Sequence, residues 1–468
     1  MADNSNCKLL GDQLRSDPRV AQAEQLLLDA LVDVQAGLSG PKPPQPELQA
    51  ESQKLLERLA SARGGATYFP YLSSGLGSGP WVELTDGSVK LDFITGIGVH
   101  GMGHSHPDLV KAVMRSALDD TVMQGNLQHN VPSLKMCEKL VSLAKAQGSA
   151  LAHCLLTTSG AMANENALKI AFHNRAPADR VITLDNCFAG RTIAMAQLTD
   201  RPQYRTGLPT ALAVDYLPPA DPELSEASQE RSLAALDKLL KRHPGKYAAL
   251  WLELVAGEGG YYAGSKEYFE KLIARAKEDN VLIIFDEVQT FGRLSRPFAF
   301  QHFELDAHAD IVSVGKITQL CATLYREELK PNGPLLSQTF TAASSSLEAS
   351  LASLEAMDKA GCFGAESKNM ALHDYFAEKL QGLAAKHPGK IAGPHGCGMM
   401  IAVTPGDGTA QAAKEMVHAF YEAGLMSFVA GGNPARVRFL PPPAVTTQEH
   451  IDVAVEIMDG ALAGLYNE

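Results

Sequence analysis

The stretch VLIIFDEVQ, residues 281–289, is the clearest indication of the fold in this chain. Its first five residues are apolar without a break, which is typical of a strand buried on both faces of a parallel sheet. The strand ends at Asp286, and a carboxylate at the end of a buried strand costs free energy unless it meets a cation. We therefore expect a central strand over 281–285, with Asp286 at the edge of the sheet where ligands of α/β proteins bind.

Outward from this strand, apolar segments alternate with helical patterns between about residues 107 and 320. This alternation is the signature of an α/β fold with a largely parallel sheet. The other candidate strands are 154–158, 181–184, 248–254 and 311–314.

The two ends of the chain have different patterns from the middle. Residues 19–36 and 47–62 predict helices, and residues 68–95 predict β structure with a turn at Asp86-Gly87. Helical and β-like segments after about residue 345 predict a smaller α+β domain. The predicted units are an N-terminal helical segment with a β-like arm that joins the small domain (1–95), a large domain (96–345) and a C-terminal small domain (346–468).

Composition and charge exclude several classes of protein. The chain has 468 residues and a net charge of −12, which suits neither nucleic acid nor an anionic membrane as a partner. None of its seven cysteines forms a CxxC pair, which argues against a disulfide framework or a structural zinc site and favours the cytoplasm. His104 and His106 lack an acidic third ligand nearby, so we expect no metal. No secretory signal or bilayer-spanning stretch is visible.

Residues with useful chemistry also follow the other candidate strands. Gly160 and Ala161 open a helix, where free backbone N–H groups and the helix dipole suit a phosphate. The others are Lys316, Glu253, Phe188 and Arg191. Each alone has a more common explanation, such as a capped helix, a surface lysine or a salt-bridged aspartate. Together they provide a helix N-terminus for a phosphate, an amine, carboxylates, an aromatic side chain and an arginine. These are the groups that a pyridoxal phosphate site needs.

Eight motifs, in order along roughly residues 65–465, resemble the class III aminotransferases, which are pyridoxal-phosphate-dependent enzymes of fold-type I. They are LDFITGIGVHGMGHSHP (91–107), TTSGAMANENALKIAF (157–172), FAGRT (188–192), ELVAGEGG (253–260), IIFDEVQTFGR (283–293), DIVSVGKITQLC (310–321), QTF (338–340) and RVRFLPPP (436–443). The resemblance is to the lysine ε-, ornithine and 4-aminobutyrate aminotransferases. It implies a large domain with a mainly parallel, seven-stranded type of sheet and a smaller α+β domain.

The resemblance implies that a set of residues holds the cofactor. Lys316 is implied to bind it as a Schiff base and to carry a proton during the reaction. Asp286 is implied to pair with the pyridinium nitrogen and keep the ring an electron sink. The other implied contacts are Ser159, Gly160 and Ala161 at the phosphate, Phe188 on the ring, Gln289 at the phenolic oxygen, and Thr339 at the phosphate of the other subunit's cofactor. A homodimer with shared active sites follows from the role implied for Thr339.

The resemblance also implies substrate contacts. Arg438 is implied to bind the α-carboxylate and Arg191 the distal carboxylate of glutamate or 2-oxoglutarate. Glu253 is implied to pair with Arg438 when an ω-amino substrate is bound. Ile97 stands at a substrate-contacting position where ornithine aminotransferases carry a tyrosine. The implied reaction is ping-pong transamination through a Lys316 aldimine, from a lysine-like ω-amine to 2-oxoglutarate, with the identity of the donor left open.

Two alternatives of other classes fit part of the sequence. A racemase or mutase of the same fold would use the same cofactor. The segment GIGVHG (96–101), with Asp119 and Asp120 about 20 residues on, formally fits a dinucleotide-binding oxidoreductase. One departure from the family pattern is Ala161-Met162, where a Thr-Glu pair is usual.

Overall fold

The computed structural model describes residues 9–465, except residues 121 and 126 and the side chains of residues 122–124. Cys7 and the outermost residues of the first and last predicted units lie outside this part of the chain. No helix among the described residues is long and apolar enough to cross a membrane.

A seven-stranded sheet forms the centre of the molecule. Its strands are, in spatial order, Leu151–Thr157, Cys321–Arg326, Ile311–Val314, Leu282–Glu287, Tyr247–Leu252, Arg180–Leu184 and Ala213–Leu217. Only Cys321–Arg326 runs antiparallel to its neighbours in this sheet. The mainly parallel α/β fold and the central place of the VLIIF strand are therefore confirmed.

Two strands of this sheet were not predicted. Ala213–Leu217 is an edge strand with four half-buried residues, so it lacks the continuous apolar run of a central strand. Cys321–Arg326 follows a single 3-10 turn at Lys316–Thr318 without a connecting helix, and its Thr and Arg residues interrupt the apolar pattern. A continuous apolar run, like that of VLIIF, is the sequence signal of a strand in a sheet that is covered on both faces. These two strands lack such a run and were therefore missed.

Helices flank the sheet and lie close to both ends of the described part of the chain. The α-helices span Leu10–Arg15, Pro18–Gln35, Pro46–Arg63, Thr95–Gly98, Pro107–Ser116, Val131–Lys145, Gly160–Asn174, Ile193–Leu198, Glu226–Arg242, Lys266–Glu278, Ala299–His302, Ser344–Lys359, Lys368–Lys386, Ala410–Ala423 and Gln448–Gly464. The further 3-10 turns are Pro202–Tyr204, Asp306–His308 and Glu327–Leu329. The two predicted N-terminal helices each begin with a proline, which suits the first helical position because no N–H is needed there.

Smaller sheets lie outside the central one. One contains Ser73–Ser78, Trp81–Leu84, Val89–Asp92 and Leu425–Met426, and another contains Ile391–Cys397, Met400–Pro405, Ala435–Phe439 and Phe428–Gly431. Two-stranded ladders join Val122–Gln124 to Phe340–Ala343 and Val255–Ala256 to Tyr262–Ala263. Because Leu425–Met426 pairs with Val89–Asp92, the N-terminal β-like arm and the C-terminal part of the chain share a sheet. The predicted domain boundaries after residues 95 and 345 stay a prediction.

The glycine segment GIGVHG does not have the setting of a dinucleotide site. It follows the strand Val89–Asp92, which belongs to a small sheet, and Gly96 and Ile97 both have positive φ values, of 66° and 61°. The next full helix starts only at Pro107. A dinucleotide fingerprint instead joins a strand of the parallel sheet directly to a helix, so the structure gives the oxidoreductase alternative no support.

Candidate active site

A cavity of about 460 Å³ lies at the carboxyl ends of the central strands. The residues of the predicted site that line it are Gly160, Ala161, Phe188, Arg191, Glu253, Asp286, Gln289 and Lys316. Further lining residues are Val99, Thr158, Asn164, Ala189, Gly190, Val288, Gln319, Leu320 and Cys321. The fold therefore brings together residues that are distant in the sequence, such as Gly160 and Lys316.

Lys316 follows the strand Ile311–Val314 in an unusual backbone conformation. Its φ is +54°, in the left-handed region that residues other than glycine seldom adopt, and such strain is retained where the surrounding structure imposes it. Burial lowers the pKa of its amine to about 8, although the negative charge of Glu258 opposes the shift. An amine with this pKa has a large neutral fraction near pH 8, and the neutral form is the nucleophile and the base.

Asp286 ends the central strand with its carboxylate buried. Its Oδ1 accepts from the N–H of Val288 at 2.8 Å and its Oδ2 from Nδ2 of Asn164 at 2.7 Å. Burial raises the pKa of Asp286 to about 6, and these two donors together with Lys316 limit the rise. The carboxylate is thus held at the cavity wall with donors that favour its charged form.

The helix Gly160–Asn174 presents its N-terminus to the cavity. Ser159 caps it, since its Oγ accepts from the N–H of Met162 at 3.2 Å, and Ser159 is not among the lining residues. The first N–H groups of a helix have no acceptor inside the helix. A Cβ on Gly160 would lie 2.8 Å from Cγ1 of Val288, so glycine keeps the backbone and the strand end in close contact.

Aromatic and cationic groups lie on another side of the cavity. Phe188 is half-buried, and its N–H donates to Oε2 of Glu253 at 3.0 Å. Arg191 is exposed, and its guanidinium carbon lies 3.3 Å from the ring centroid of Tyr204. This stacking holds the guanidinium against an aromatic face and leaves its five N–H donors in one plane for an anion.

The ion pair of Arg438 differs from the prediction. Arg438 is fully buried and donates to Oε1 of Glu258 at 2.5 Å, so its partner is Glu258 and not Glu253. Glu253 instead accepts from the N–H groups of Phe188 and Gly257. Both glutamates belong to the motif ELVAGEGG. The bend at Leu254 and the strand Val255–Ala256 separate them, and the motif alone does not show which of them meets Arg438.

The two glutamates have opposite pKa shifts. Burial, and secondarily Asp286, raise the pKa of Glu253 to about 8, so its carboxyl is largely neutral at pH 7. The pKa of Glu258 is lowered, because Arg438 and Lys316 outweigh the burial of its carboxylate. Glu258 is therefore the charged partner in this part of the site.

Besides Ser159, three predicted site residues are not among those that line the cavity in this chain. Thr339 is exposed, and its carbonyl accepts from the N–H of Gly125 at 3.0 Å. Ile97 is half-buried and packs on the hydrophobic core, while Val99 of the same segment lines the cavity. Arg438 and its partner Glu258 are not among the lining residues, although the charges of both act on Lys316.

A second, larger cavity of about 550 Å³ lies beside the first and shares Glu253 with it. Its wall includes Arg436, Tyr262 and His395 but neither Lys316 nor Asp286. Chemistry rather than size therefore identifies the smaller cavity as the candidate active site. The described residues contain no cluster of three or more His, Cys, Asp or Glu side chains that could hold a metal ion.

The donor set of the smaller cavity fits pyridoxal phosphate. Gln289 is buried, and its Oε1 has no hydrogen-bond partner among the described residues, so it is available to a polar group in the cavity. A buried carboxylate, an amine of lowered pKa and a helix N-terminus complement a pyridinium nitrogen, an aldehyde and a phosphate, respectively.

The chain is similar to known aminotransferases over most of its length. The family model described as aminotransferase class-III matches residues 66–462. The acetylornithine aminotransferase of Methanocaldococcus jannaschii is 30% identical over 400 residues, which cover 82% of this chain and 91% of that protein. The LysW-aminoadipate semialdehyde transaminase of Deinococcus radiodurans is 30% identical over 396 residues, covering 83% and 85%.

The fold is shared with solved structures of the same kind. The lysine aminotransferase from M. tuberculosis superposes with a TM-score of 0.77 and 25% identity, covering 87% of this chain and 99% of that one. The matched region contains the strands, the helix N-terminus and the lysine that form the cavity described above. The chain therefore belongs to the class III aminotransferases, a family of pyridoxal-phosphate-dependent enzymes.

Proposed function

We propose that this enzyme moves an amino group from the ω-amine of a lysine-like donor to 2-oxoglutarate. One product leaves before the second substrate binds, and the enzyme works as a homodimer in which Thr339 of each subunit reaches the other's cofactor. The similarity to acetylornithine and lysine aminotransferases supports an ω-amine donor.

The observation that carries this proposal is the buried ion pair between Arg438 and Glu258. While the ion pair is closed, Glu258 neutralises the charge of Arg438. An ω-amine donor has no carboxylate beside its reacting amine, so it can bind without an unpaired cation at this position. When 2-oxoglutarate binds, its α-carboxylate takes the place of Glu258 on Arg438. The Glu258 side chain is 23% exposed and therefore has solvent to turn towards, whereas Arg438 is fixed in the interior.

The protein residues divide the work of the reaction. Bound pyridoxal phosphate supplies an electron sink that makes the carbon–hydrogen bond of the donor acidic. Lys316, as a neutral amine, accepts that proton at Nζ and returns it at the next step. Asp286, as a carboxylate, keeps the proton on the ring nitrogen. The N–H groups of Gly160 and Ala161 bind the phosphate, and Phe188 and Gln289 orient the ring.

A donor screen tests the proposal. The enzyme would be incubated with 2-oxoglutarate and lysine, ornithine, acetylornithine, 4-aminobutyrate or an α-amino acid, and glutamate formation would be measured. We expect the highest kcat/KM for an ω-amine. Activity with α-amino acids alone would overturn the choice of donor, and racemisation of one amino acid without any oxo acid would identify a racemase instead.

Removing the charge of Glu258 should change substrate preference. In Glu258→Gln the buried Arg438 loses its ionic partner, and an uncompensated buried charge costs about 3–5 kcal/mol. We expect kcat/KM for ω-amines to fall about tenfold or more relative to kcat/KM for glutamate, whose α-carboxylate restores the pair. Glu304→Gln, at an exposed ion pair with Lys266, is the control. Equal effects on the two substrates would contradict the role of Glu258.

Removing the guanidinium of Arg191 should weaken binding of the acceptor most. A charge-assisted hydrogen bond contributes about 1.5–3 kcal/mol, so in Arg191→Ala the acceptor, 2-oxoglutarate, should show a KM raised about tenfold or more. A donor amine that has no carboxylate at the end remote from its reacting nitrogen, such as a simple diamine, should show a much smaller change in its KM. Steady-state kinetics with both substrates varied measures this, with the exposed Arg242→Ala as the control. A larger rise for the donor would refute the assignment.

The rate at which the cofactor-free protein takes up pyridoxal phosphate should report the pKa of Lys316. Its amine is protonated below about pH 8 and neutral above it. The rate should therefore rise about tenfold per pH unit below this value and level off above it. Stopped-flow absorbance between pH 6 and 10 would show the midpoint, with Nα-acetyllysine as the comparison. A rise that continues to the ordinary lysine pKa of 10.5 would contradict the lowered value.

A further inference from the structure

Asn164 joins three neighbouring strands beneath the candidate active site. It lies in the helix Gly160–Asn174 and is 1% exposed. Its Nδ2 donates to Oδ2 of Asp286 at 2.7 Å, and its Oδ1 accepts from Oγ of Ser313 at 2.7 Å and from Nε1 of Trp251 at 3.4 Å. Sequence reasoning missed this residue, because an asparagine in an otherwise apolar helix carries no signal of its own.

Strand register places the three partners on one face of the sheet. Asp286 is directly opposite Ser313, and Ile284, two residues before Asp286, is opposite Trp251. Since side chains on a strand alternate between faces, Asp286, Ser313 and Trp251 all point to the side that the helix covers. The amide of Asn164 therefore meets all three at once.

These contacts fix which way the amide points. Trp Nε1 can only donate, so the atom of Asn164 that faces it must be the oxygen. The amide nitrogen then faces Asp286, and its second hydrogen goes to the carbonyl of Ala189 at 2.9 Å. Every donor and acceptor site of this amide has a partner, so the group cannot rotate to leave Asp286 without breaking several buried hydrogen bonds.

We infer that Asn164 is a positioning residue that keeps Asp286 ionised and aimed at the ring nitrogen of the cofactor. The inference rests on the proposed role of Asp286. A donor to a carboxylate favours its charged form, while burial of Asp286 favours the neutral form. Asn164 thus opposes the effect of burial without adding a charge that would compete with the pyridinium for the carboxylate.

Other titratable groups near Asp286 have to be considered in any test that varies pH. Lys316, Glu253, Glu287 and Cys321 all interact electrostatically with it. Burial raises the pKa of both glutamates, to about 8 for Glu253 and about 7 for Glu287, and that of the Cys321 thiol to about 11. All variants are therefore compared with the wild type at a single pH.

The test compares the Kd of pyridoxal phosphate with that of its 1-deaza analogue, which has carbon in place of the ring nitrogen. Isothermal titration of the cofactor-free protein at pH 7 would give the ratio of the two Kd values. The wild type should prefer the nitrogen-containing cofactor. Asn164→Ala should lose about tenfold or more of this preference, the effect expected for one hydrogen bond to a charged group. Asn166→Ala is the matched control, since Asn166 is 2% exposed on the same helix and is not bonded to Asp286.

Each outcome separates the two claims. If the wild type shows no preference for the nitrogen, the role of Asp286 fails. If the wild type prefers it and Asn164→Ala does so equally, the inference about Asn164 is overturned. Should Asn164→Ala fail to fold, as judged by circular dichroism, Asn164→Leu, which has a similar size, serves instead. Its apolar side chain has no donor for Asp286, so its preference should also fall, and a wild-type ratio would again overturn the inference.

Discussion

Replacing Lys316 with alanine should reduce turnover by at least about 10⁴-fold. The variant loses the nucleophile that binds the cofactor and the base that moves the proton, and general acid–base catalysis alone contributes about 10²–10⁴-fold. Glutamate formation from the best donor and 2-oxoglutarate would be measured under saturating conditions. The Lys316 side chain lies in a cavity rather than in the core, so the fold should persist and the melting temperature should change little.

Two controls make this result specific. Lys169→Ala removes an exposed lysine from the helix that borders the cavity and should leave turnover unchanged. Adding a small primary amine to Lys316→Ala should restore part of the lost activity, because a free amine can enter the vacated space and accept the proton. Activity of Lys316→Ala close to that of the wild type would refute the role of Lys316.

Replacing Asp286 with asparagine should reduce turnover about 10²–10³-fold. The change keeps the size of the side chain but removes the charge that balances the ring nitrogen, and loss of one partner of a buried ion pair costs about 3–5 kcal/mol. At about 1.4 kcal/mol per factor of ten, this cost corresponds to the stated loss. Affinity for pyridoxal phosphate should fall as well, and both quantities would be measured at pH 7.

A buried aspartate nearby provides the matched control. Asp310 accepts from the N–H of Ile283 at 2.8 Å and pairs with Arg326, away from the cavity. Asp310→Asn should lower the melting temperature while turnover per cofactor-loaded site stays near the wild-type value. If Asp286→Asn and Asp310→Asn had the same effect on both quantities, Asp286 would have a structural role only.

The sequence predicted the fold where the chain is buried on both sides. The VLIIF strand and the residues after it could be placed because uninterrupted apolarity has few explanations in a chain with alternating helical segments. The edge strand Ala213–Leu217 and the antiparallel strand Cys321–Arg326 escaped prediction because half-buried or polar positions interrupt their apolar runs.

Prediction of the site failed where it depended on the direction of a turn or on contacts across strands. Nothing in the motif ELVAGEGG shows which glutamate pairs with Arg438, since this depends on the short strand Val255–Ala256 and on the turn after it, which contains Glu258. The contact of Asn164 with Asp286 depends on the register of strands that are far apart in sequence. The role of Thr339, which lies outside the cavity of its own chain, involves a second subunit and stays a prediction.

We expect Lys316 to be the residue that binds the cofactor covalently. Loading the protein with pyridoxal phosphate, reducing it with borohydride and mapping its peptides by mass spectrometry tests this most directly. We predict one modified peptide, with the cofactor on Lys316. The Lys316→Ala variant, loaded and reduced in the same way, should give no modified peptide. A modification on a different lysine in fully active enzyme would contradict the claim.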